Sequence, residues 1–450
     1  MSETVATRPG RPAARARHVI ACHECDLLQR DHDVPPEGVL RCCRCRATLY
    51  RHHSDSLERT LAYALAACAL WIISNAFPIV GLAVNGDLVE TTMFGAVRVL
   101  YRDGMWPLSA LIFITTMLMP ACQALGLVWL LLPLRLGRTP YRADGVFRGL
   151  RVAQEWGMTE VLILGLLVAL VKLSHIASVV TGPALWSFGV LMLMLAAAAS
   201  AFDTRDLWAR LEGHPDTGPA FDSDTPFPAD TAAGCGLCVC HDCGLLTRIA
   251  PEQAQHESAY ARLDAPVQWP EHAGHCPRCG AHLHLRKPDS LARTWACLIA
   301  AVILYIPANV LPVMDTSSLF GAQKDTIMSG VVYLWTSGSW PLAVLVFVAS
   351  IAVPMLKILA IGFLALSANV RSTWQPEHRA RIYRIVELVG RWSMLDIYVI
   401  AVLTSLVQFN ALATVRAGPA AIAFGAVVVL TMFAAMSFDP RLIWDARKQE

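Results

Sequence analysis

Eight of the fourteen cysteines fall into four Cys-x-x-Cys pairs, and their spacing carries the clearest chemistry in the chain. Cys22-x-x-Cys25 is followed after sixteen residues by Cys42-x-x-Cys45, and Cys240-x-x-Cys243 after thirty-two residues by Cys276-x-x-Cys279. Two such knuckles bring four thiolates to tetrahedral distance of one Zn²⁺, with metal–sulfur bonds near 2.3 Å. Four cysteines close the coordination sphere and leave no position open for a substrate, so two structural zinc sites are expected. Pairs this close in sequence suit a metal better than a disulfide framework. The chemical alternatives are a dithiol redox site and a rubredoxin-like iron. Cys43 competes with Cys42 as a ligand, and Cys235-x-x-Cys238 is an additional pair, either substituting in the second site or spare. His23, His241 and His275 read as surface imidazoles rather than ligands. The ribbons lack a concentrated basic and aromatic face, so no nucleic-acid partner is expected.

The elements that must carry these sites are strongly apolar. Hydrophobic residues make up 55% of the chain and charged residues 16%, with net charge +2, and mean hydropathy is +0.47. Eight apolar runs are long enough to cross a ~30 Å hydrocarbon core at 1.5 Å per residue. They cover 59–83, 105–133, 157–180 and 183–203, then 293–314, 339–367, 393–415 and 418–438. Arginines crowd the segment before the first run and the loops holding Arg135, Arg138, Arg142, Arg148 and Arg151, and Arg371, Arg379, Arg381, Arg384 and Arg391. The bias of Lys and Arg places these loops, both termini and both cysteine clusters in the cytoplasm. The basic N-terminus has no apolar stretch of the kind a signal peptide needs, so it reads as a disordered arm.

The two halves are internal repeats. Asp55-Ser56-Leu57-x-Arg59-Thr60 returns as Asp289-Ser290-Leu291-x-Arg293-Thr294, an offset of 234. Gly104-x-Trp106-Pro107-Leu108 returns as Gly338-x-Trp340-Pro341-Leu342, and Pro120 as Pro354. After a two-residue insertion, Phe202-Asp203-x-Arg205-x-x-Trp208 matches Phe438-Asp439-x-Arg441-x-x-Trp444. The repeat alignment favours Cys42 over Cys43. The expected fold is an all-α polytopic membrane protein of two tandem repeats, each a zinc ribbon plus four transmembrane helices. Its expected divisions are an arm at 1–17, a ribbon at 18–54, a bundle at 55–210, a linker at 211–234, a ribbon at 235–288 and a bundle at 289–445.

Ionisable groups within a bilayer are costly and are candidates for function. Lys172, with His175 close by, and Lys357 fall inside apolar runs. Lys172 aligns with Gln408 and Lys357 with Gln123, so each half holds one lysine and one glutamine in swapped positions. These five residues are transport-path candidates; the competing role is bonding of carbonyls opened by proline kinks. Glu160 and Asp396 are also candidates, although an acid near a helix N-terminus is stabilised there by the dipole. Asn75 and Asn309, three residues before a proline, are expected to satisfy open backbone groups. Pro120 and Pro354 should kink the second helix of each half. No nucleotide loop, nucleophile elbow or H-E-x-x-H motif is present, and no enzyme activity is expected.

The run Arg391-Trp392-Ser393-Met394-Leu395-Asp396-Ile397-Tyr398-Val399, the Cys-x-x-Cys-Gly/Asp-Leu-Leu openings and Ser437-Phe438-Asp439-Pro440-Arg441 resemble the paraquat-inducible protein A family. The sequence departs from the family at Asp26, where glycine is usual, at Gly157 and Thr159, and in the extra Cys235 and Cys238. The resemblance implies an inner-membrane subunit of a lipid transport system in a double-membrane bacterium. It implies membrane lipids as cargo and a periplasmic partner whose mammalian-cell-entry domains form a tunnel. A scaffold that regulates this partner without transport, and a membrane thiol redox protein, are the alternatives.

Overall fold

The structure is a computed structural model that describes residues 17–31, 35, 38–51, 55–84, 87–157, 159–174, 178–212, 220–221, 227, 229–248, 274–318, 321–338, 340–390, 398–399, 408–409 and 413–445. These residues form two compact units, one from 1–54 with 204–285 and the other from 55–203 with 286–450.

The first unit gathers both cysteine-rich segments. Arg17–Ala21 pairs antiparallel with Leu28–Arg30, Val39–Arg41 with Thr48–Arg51, and Leu237–Val239 with Leu246–Arg248. A single antiparallel bridge joins His275 to His282. Segments this small cannot bury a core of their own. They share one instead: Val19, Ala21 and Leu28 of the first ribbon pack with Ala232, Leu237, Val239 and Leu246 of the second. The helix Thr204–Glu212 ties to both. Arg205 pairs with Asp31 at 3.1 Å and lies 3.9 Å over the Tyr50 ring. Glu212 accepts two bonds of 2.9 Å from the buried guanidinium of Arg278. The paired, planar geometry makes this the stronger of the two contacts.

The second unit is a helical bundle in which the repeat is visible element by element. Ser56–Ala76 corresponds to Ser290–Val310, Met93–Arg102 to Ile327–Thr336, Met119–Arg135 to Val353–Asn369 and Pro183–Ala201 to Pro419–Ser437. Six helices among the described residues are long and apolar enough to span a membrane: Ser56–Ala76, Trp106–Arg135, Pro183–Ala201, Ser290–Val310, Ala343–Asn369 and Pro419–Ser437. The third apolar run of the first half is helical over Thr159–Ser174, 16 residues. Most of its counterpart in the second half lies outside the described residues.

Local chemistry fixes the helix ends. The Thr92 side chain accepts the Gly95 N–H, and Thr326 and Ser329 form a reciprocal capping box. Proline without an N–H and with a bulky ring disrupts the helical ladder one turn back. The disruption takes the form of a π-helical turn, Phe113–Leu118 ahead of Pro120 and Val348–Ala352 ahead of Pro354. Hydroxyls of the widened turns donate to carbonyls just ahead of them: Thr116 to Ile112 O at 2.7 Å and Ser350 to Val346 O at 2.6 Å.

Each first helix stops short of the end of its apolar run and a strand follows, within the run in the first half and from its last residue, Met314, in the second. Val80–Val84 lies between Asp87–Thr91 and Ser178–Thr181, and Met314–Ser318 between Gly321–Asp325 and Ala413–Ala417. Hydropathy alone does not separate a strand from a helix in such a run. Gly182 and Gly418 close the sheets onto the last helices, and a Cβ at either would collide with the carbonyl of Pro78 or Pro312. One hydrophobic core runs through both halves, from Leu108, Ile112 and Leu191 to Phe424 and Val428. The Trp156 and Phe433 rings, one from each half, lie 5.4 Å apart.

Candidate functional site: two thiol clusters and the polar groups of the bundle

Four knuckles of one design build the cysteine sites. In each, the first cysteine N–H donates five residues ahead and its carbonyl accepts from the residue four ahead. The bonds are Cys22 N to Leu27 O at 3.0 Å, Cys42 N to Ala47 O at 2.8 Å, Cys240 N to Leu245 O at 2.9 Å and Cys276 N to Ala281 O at 2.7 Å. The turn forces the fifth residue into the left-handed region: Asp26 (φ 61°), Arg46 (φ 61°), Gly244 (φ 74°) and Gly280 (φ 66°). Glycine adopts this conformation without cost, and other residues do not. Asp26 has a second task, because its carboxylate accepts the Ala233 N–H at 3.2 Å from the second ribbon.

The knuckles converge pairwise into two buried groups, Cys22, Cys25, Cys42 and Cys45, and Cys240, Cys243, Cys276 and Cys279, that can each hold a metal ion. Sulfur separations are 3.5 Å for Cys22–Cys45, Cys25–Cys42 and Cys240–Cys279, and 3.6 Å for Cys243–Cys276. Bonds of 2.3 Å in a tetrahedron place sulfurs roughly 3.8 Å apart, so the donor set fits zinc. These separations are far beyond a disulfide bond. Hydrogen bonding to Cys22 and burial push the Cys25 thiol up, whereas bonds from Cys22 and Cys25 push Cys42 down. Cys243 and Cys276 repeat that split. Some thiols thus hold protons that a cation would displace.

The structure keeps the other cysteines out of both clusters. Cys43 is exposed. The Cys235 thiol donates to Ala229 O at 3.3 Å, and the buried Cys238 thiol to His284 O at 3.4 Å.

Within the bundle, Lys357 and Gln123 are 3% and 8% exposed. The Lys357 amine donates to Gly390 O at 3.5 Å, and a Cβ on Gly390 would stand 3.0 Å from that Nζ. A Cβ on Gly157 would stand 3.4 Å from Gln123 Oε1. Each residue therefore faces the chain leading into the third run of its own half. Lys172 sits in the last turn of Thr159–Ser174 and Gln408 on the strand Gln408–Phe409. Glu160 is exposed in the first turn of its helix, while His175 and Asp396 lie outside the described residues. Asn75 and Asn309 each donate to the carbonyl four residues back at 2.8 Å.

Sequence reasoning missed one polar contact between the halves. The buried Tyr398 hydroxyl donates to Thr115 Oγ1 at 2.9 Å, at the π-helical turn of the first half. A buried tyrosine needs a partner for its O–H, but the sequence does not say which.

A duplicated apolar bundle joined to a pair of four-cysteine ribbons defines a multi-pass membrane protein. The family model described as "Paraquat-inducible protein A" matches residues 57–212 and 291–448, once in each half. The chain is 34% identical over 436 residues to the "Intermembrane transport protein PqiA" of Escherichia coli (strain K12), covering 96% of this chain and 97% of that one. It is 29% identical to the "Lipophilic envelope-spanning tunnel protein A" of the same organism over 95% of this chain and 91% of that one. A "Probable intermembrane transport protein" of Haemophilus influenzae is 29% identical over 96% of this chain. The chain belongs to the paraquat-inducible protein A family. No solved structure matches it.

Proposed function

We propose that this protein is the inner-membrane subunit of a lipid transport system. It passes phospholipid or a similar amphipath between the inner membrane and a periplasmic partner whose mammalian-cell-entry domains form a tunnel. Full-length similarity to proteins named for intermembrane transport and for an envelope-spanning tunnel supports this reading. The observation that carries it furthest is Lys357, an amine 3% exposed in the span Ala343–Asn369. Such a group is costly in a bilayer and is retained where cargo or charge must be handled. Lys172, Gln123, Gln408, His175, Glu160 and Asp396 are the remaining candidates for the path.

The chain moves its cargo rather than transforming it. The two four-cysteine clusters hold structural zinc and face the cytoplasm with both termini. With a closed coordination sphere, zinc there contributes folding energy rather than chemistry. The test is transfer of a fluorescent phospholipid from vesicles holding the purified protein to its purified partner. Wild-type protein should accelerate transfer at least tenfold, and Lys357→Met and Lys172→Met should abolish the acceleration at equal protein levels. Unaccelerated transfer by the wild type would leave a scaffold.

A further inference from the structure

One short helix recurs in both halves with its inner face kept and its outer face changed. Met93 and Leu100 of Met93–Arg102 are buried, as are Ile327 and Leu334 at the same positions of Ile327–Thr336. The opposite stripe of the first helix is Phe94, Arg98, Tyr101 and Arg102, all exposed. In the second helix the stripe is Met328, Val332, Trp335 and Thr336, exposed as well. The outer face is thus aromatic and basic in one half and uncharged in the other.

The local structure holds the first of these helices at the end of a membrane span. Gly104, in the left-handed region at φ 79°, turns the chain from the helix into the span Trp106–Arg135. The Ser109 hydroxyl, in the first turn of that span, donates to Val97 O at 2.8 Å and so fixes the helix beside it. Trp106 opens the span 65% exposed, as suits a ring that anchors a helix at the headgroup level. Along the chain the exposed apolar residues continue with Phe113, Ile114 and Leu118, which a spanning helix turns to hydrocarbon. A short helix that shows aromatics and arginines at this level lies in the membrane interface.

Arg98 and Arg102 are one turn apart and so are neighbours on the helix surface. Among the described residues neither forms an ion pair, even though Asp103 is adjacent. They stand at the opposite end of the span from Arg135 and the arginine-rich loop after it, so the Lys and Arg bias that orients the chain does not account for them. Two guanidinium forks side by side are suited to a phosphate. With no carboxylate to neutralise them, they favour a phosphate that brings no cation of its own. We propose that Met93–Arg102 is an interfacial helix whose Arg98 and Arg102 hold the headgroup of an acidic phospholipid, a site the second half lacks. The proposal rests on the chain spanning a membrane and not on its transporting lipid.

The experiment uses the full-length protein in vesicles of phosphatidylcholine with a minor fraction of phosphatidylglycerol. The photo-crosslinking residue p-benzoylphenylalanine replaces Tyr101 in one sample and Trp335 in another, and mass spectrometry reads the lipid adducts. At position 101 phosphatidylglycerol should exceed its share of the bilayer at least threefold, and at position 335 it should match that share. Arg98→Gln/Arg102→Gln should return position 101 to the bulk share, and Val332→Arg/Thr336→Arg should raise position 335 above it. All four exchanged side chains are exposed, so folding is not at stake. The proposal is overturned if position 101 gives no lipid adduct, if its enrichment persists without the two arginines, or if position 335 is equally enriched in the wild-type background.

Discussion

The two halves of this chain carry one backbone and two sets of polar side chains. Both second spanning helices widen into a π-helical turn ahead of a proline, yet the same register after it holds Gln123 in one and Lys357 in the other. Both second knuckles close around a cysteine cluster, yet one presents Arg41 and Thr48 and the other His275 and His282. Residues that set the backbone appear in both copies: the clustered cysteines, Pro120 and Pro354, and Gly182 and Gly418, whose replacement would drive a Cβ into a carbonyl. The difference separates what the fold requires from what each half has been left to do with it.

The comparison breaks most readily at the metal sites. Structural zinc contributes apparent binding energies of about 10–16 kcal/mol to small domains, far more than a shared core of a few aliphatic side chains can replace. Cys42→Ser and Cys276→Ser should each lower metal content from two tightly held ions per chain to one or fewer, measured by elemental analysis. The shared core makes a sharper demand. Because Val19, Ala21 and Leu28 cover Leu237, Val239 and Leu246, Cys42→Ser should also speed amide exchange at Leu237–Val239 by tenfold or more. Protection that stays at the wild-type level there would show two independent ribbons.

Much of this architecture is legible in the residues. Cysteine spacing identified the members of both clusters, because a four-thiolate site is written in local knuckles. The repeat likewise favoured Cys42 over Cys43, and Cys43 is exposed while Cys42 is buried. The strand Val80–Val84 was not legible, since a strand that continues an apolar run leaves hydropathy unchanged, and Met314–Ser318 (Met-Asp-Thr-Ser-Ser) begins only at the last residue of its run. The pairing of Tyr398 with Thr115 and the common core of the two ribbons were hidden for a different reason. Both are contacts between segments more than 200 residues apart, and periodicity carries no information about long-range partners.

A smaller effect tests whether the bundle polar groups belong to their own half. Lys357→Gln copies the first half into the second and removes the bond to Gly390 O, at a cost of about 1 kcal/mol. Gln123→Lys places an amine in a pocket that holds an amide, 8% exposed and against the backbone at Gly157. Leaving a buried charge without a matched partner costs roughly 3–5 kcal/mol. The first substitution should lower the thermal midpoint in detergent slightly and the second markedly. The double exchange should fall near the sum of the two, as independent sites require. Recovery of the midpoint in the double variant would instead show that the two positions act as one polar system across the halves.

The smallest expected effect lies at the fifth residue of each knuckle, where the first ribbon has Asp26 and Arg46 and the second has Gly244 and Gly280. A left-handed conformation costs a residue with a Cβ about 1–2 kcal/mol, partly offset because glycine has more freedom to lose on folding. Arg46 is exposed, and its N–H donates to Cys42 O within the knuckle. Arg46→Gly should therefore stabilise the first ribbon by about 0.5–1 kcal/mol, and Gly280→Ala should destabilise the second by a similar amount. Asp26→Gly has the same backbone gain but loses the carboxylate that receives the Ala233 N–H at 3.2 Å. A hydrogen bond to a charged acceptor is worth about 1.5–3 kcal/mol, so the sign should reverse. Urea midpoints for metal release read all three variants. If Asp26→Gly stabilised the ribbon as Arg46→Gly does, Asp26 would be an ordinary strained turn residue. If it destabilised, the departure from glycine at this position would be explained by the second ribbon docked against it.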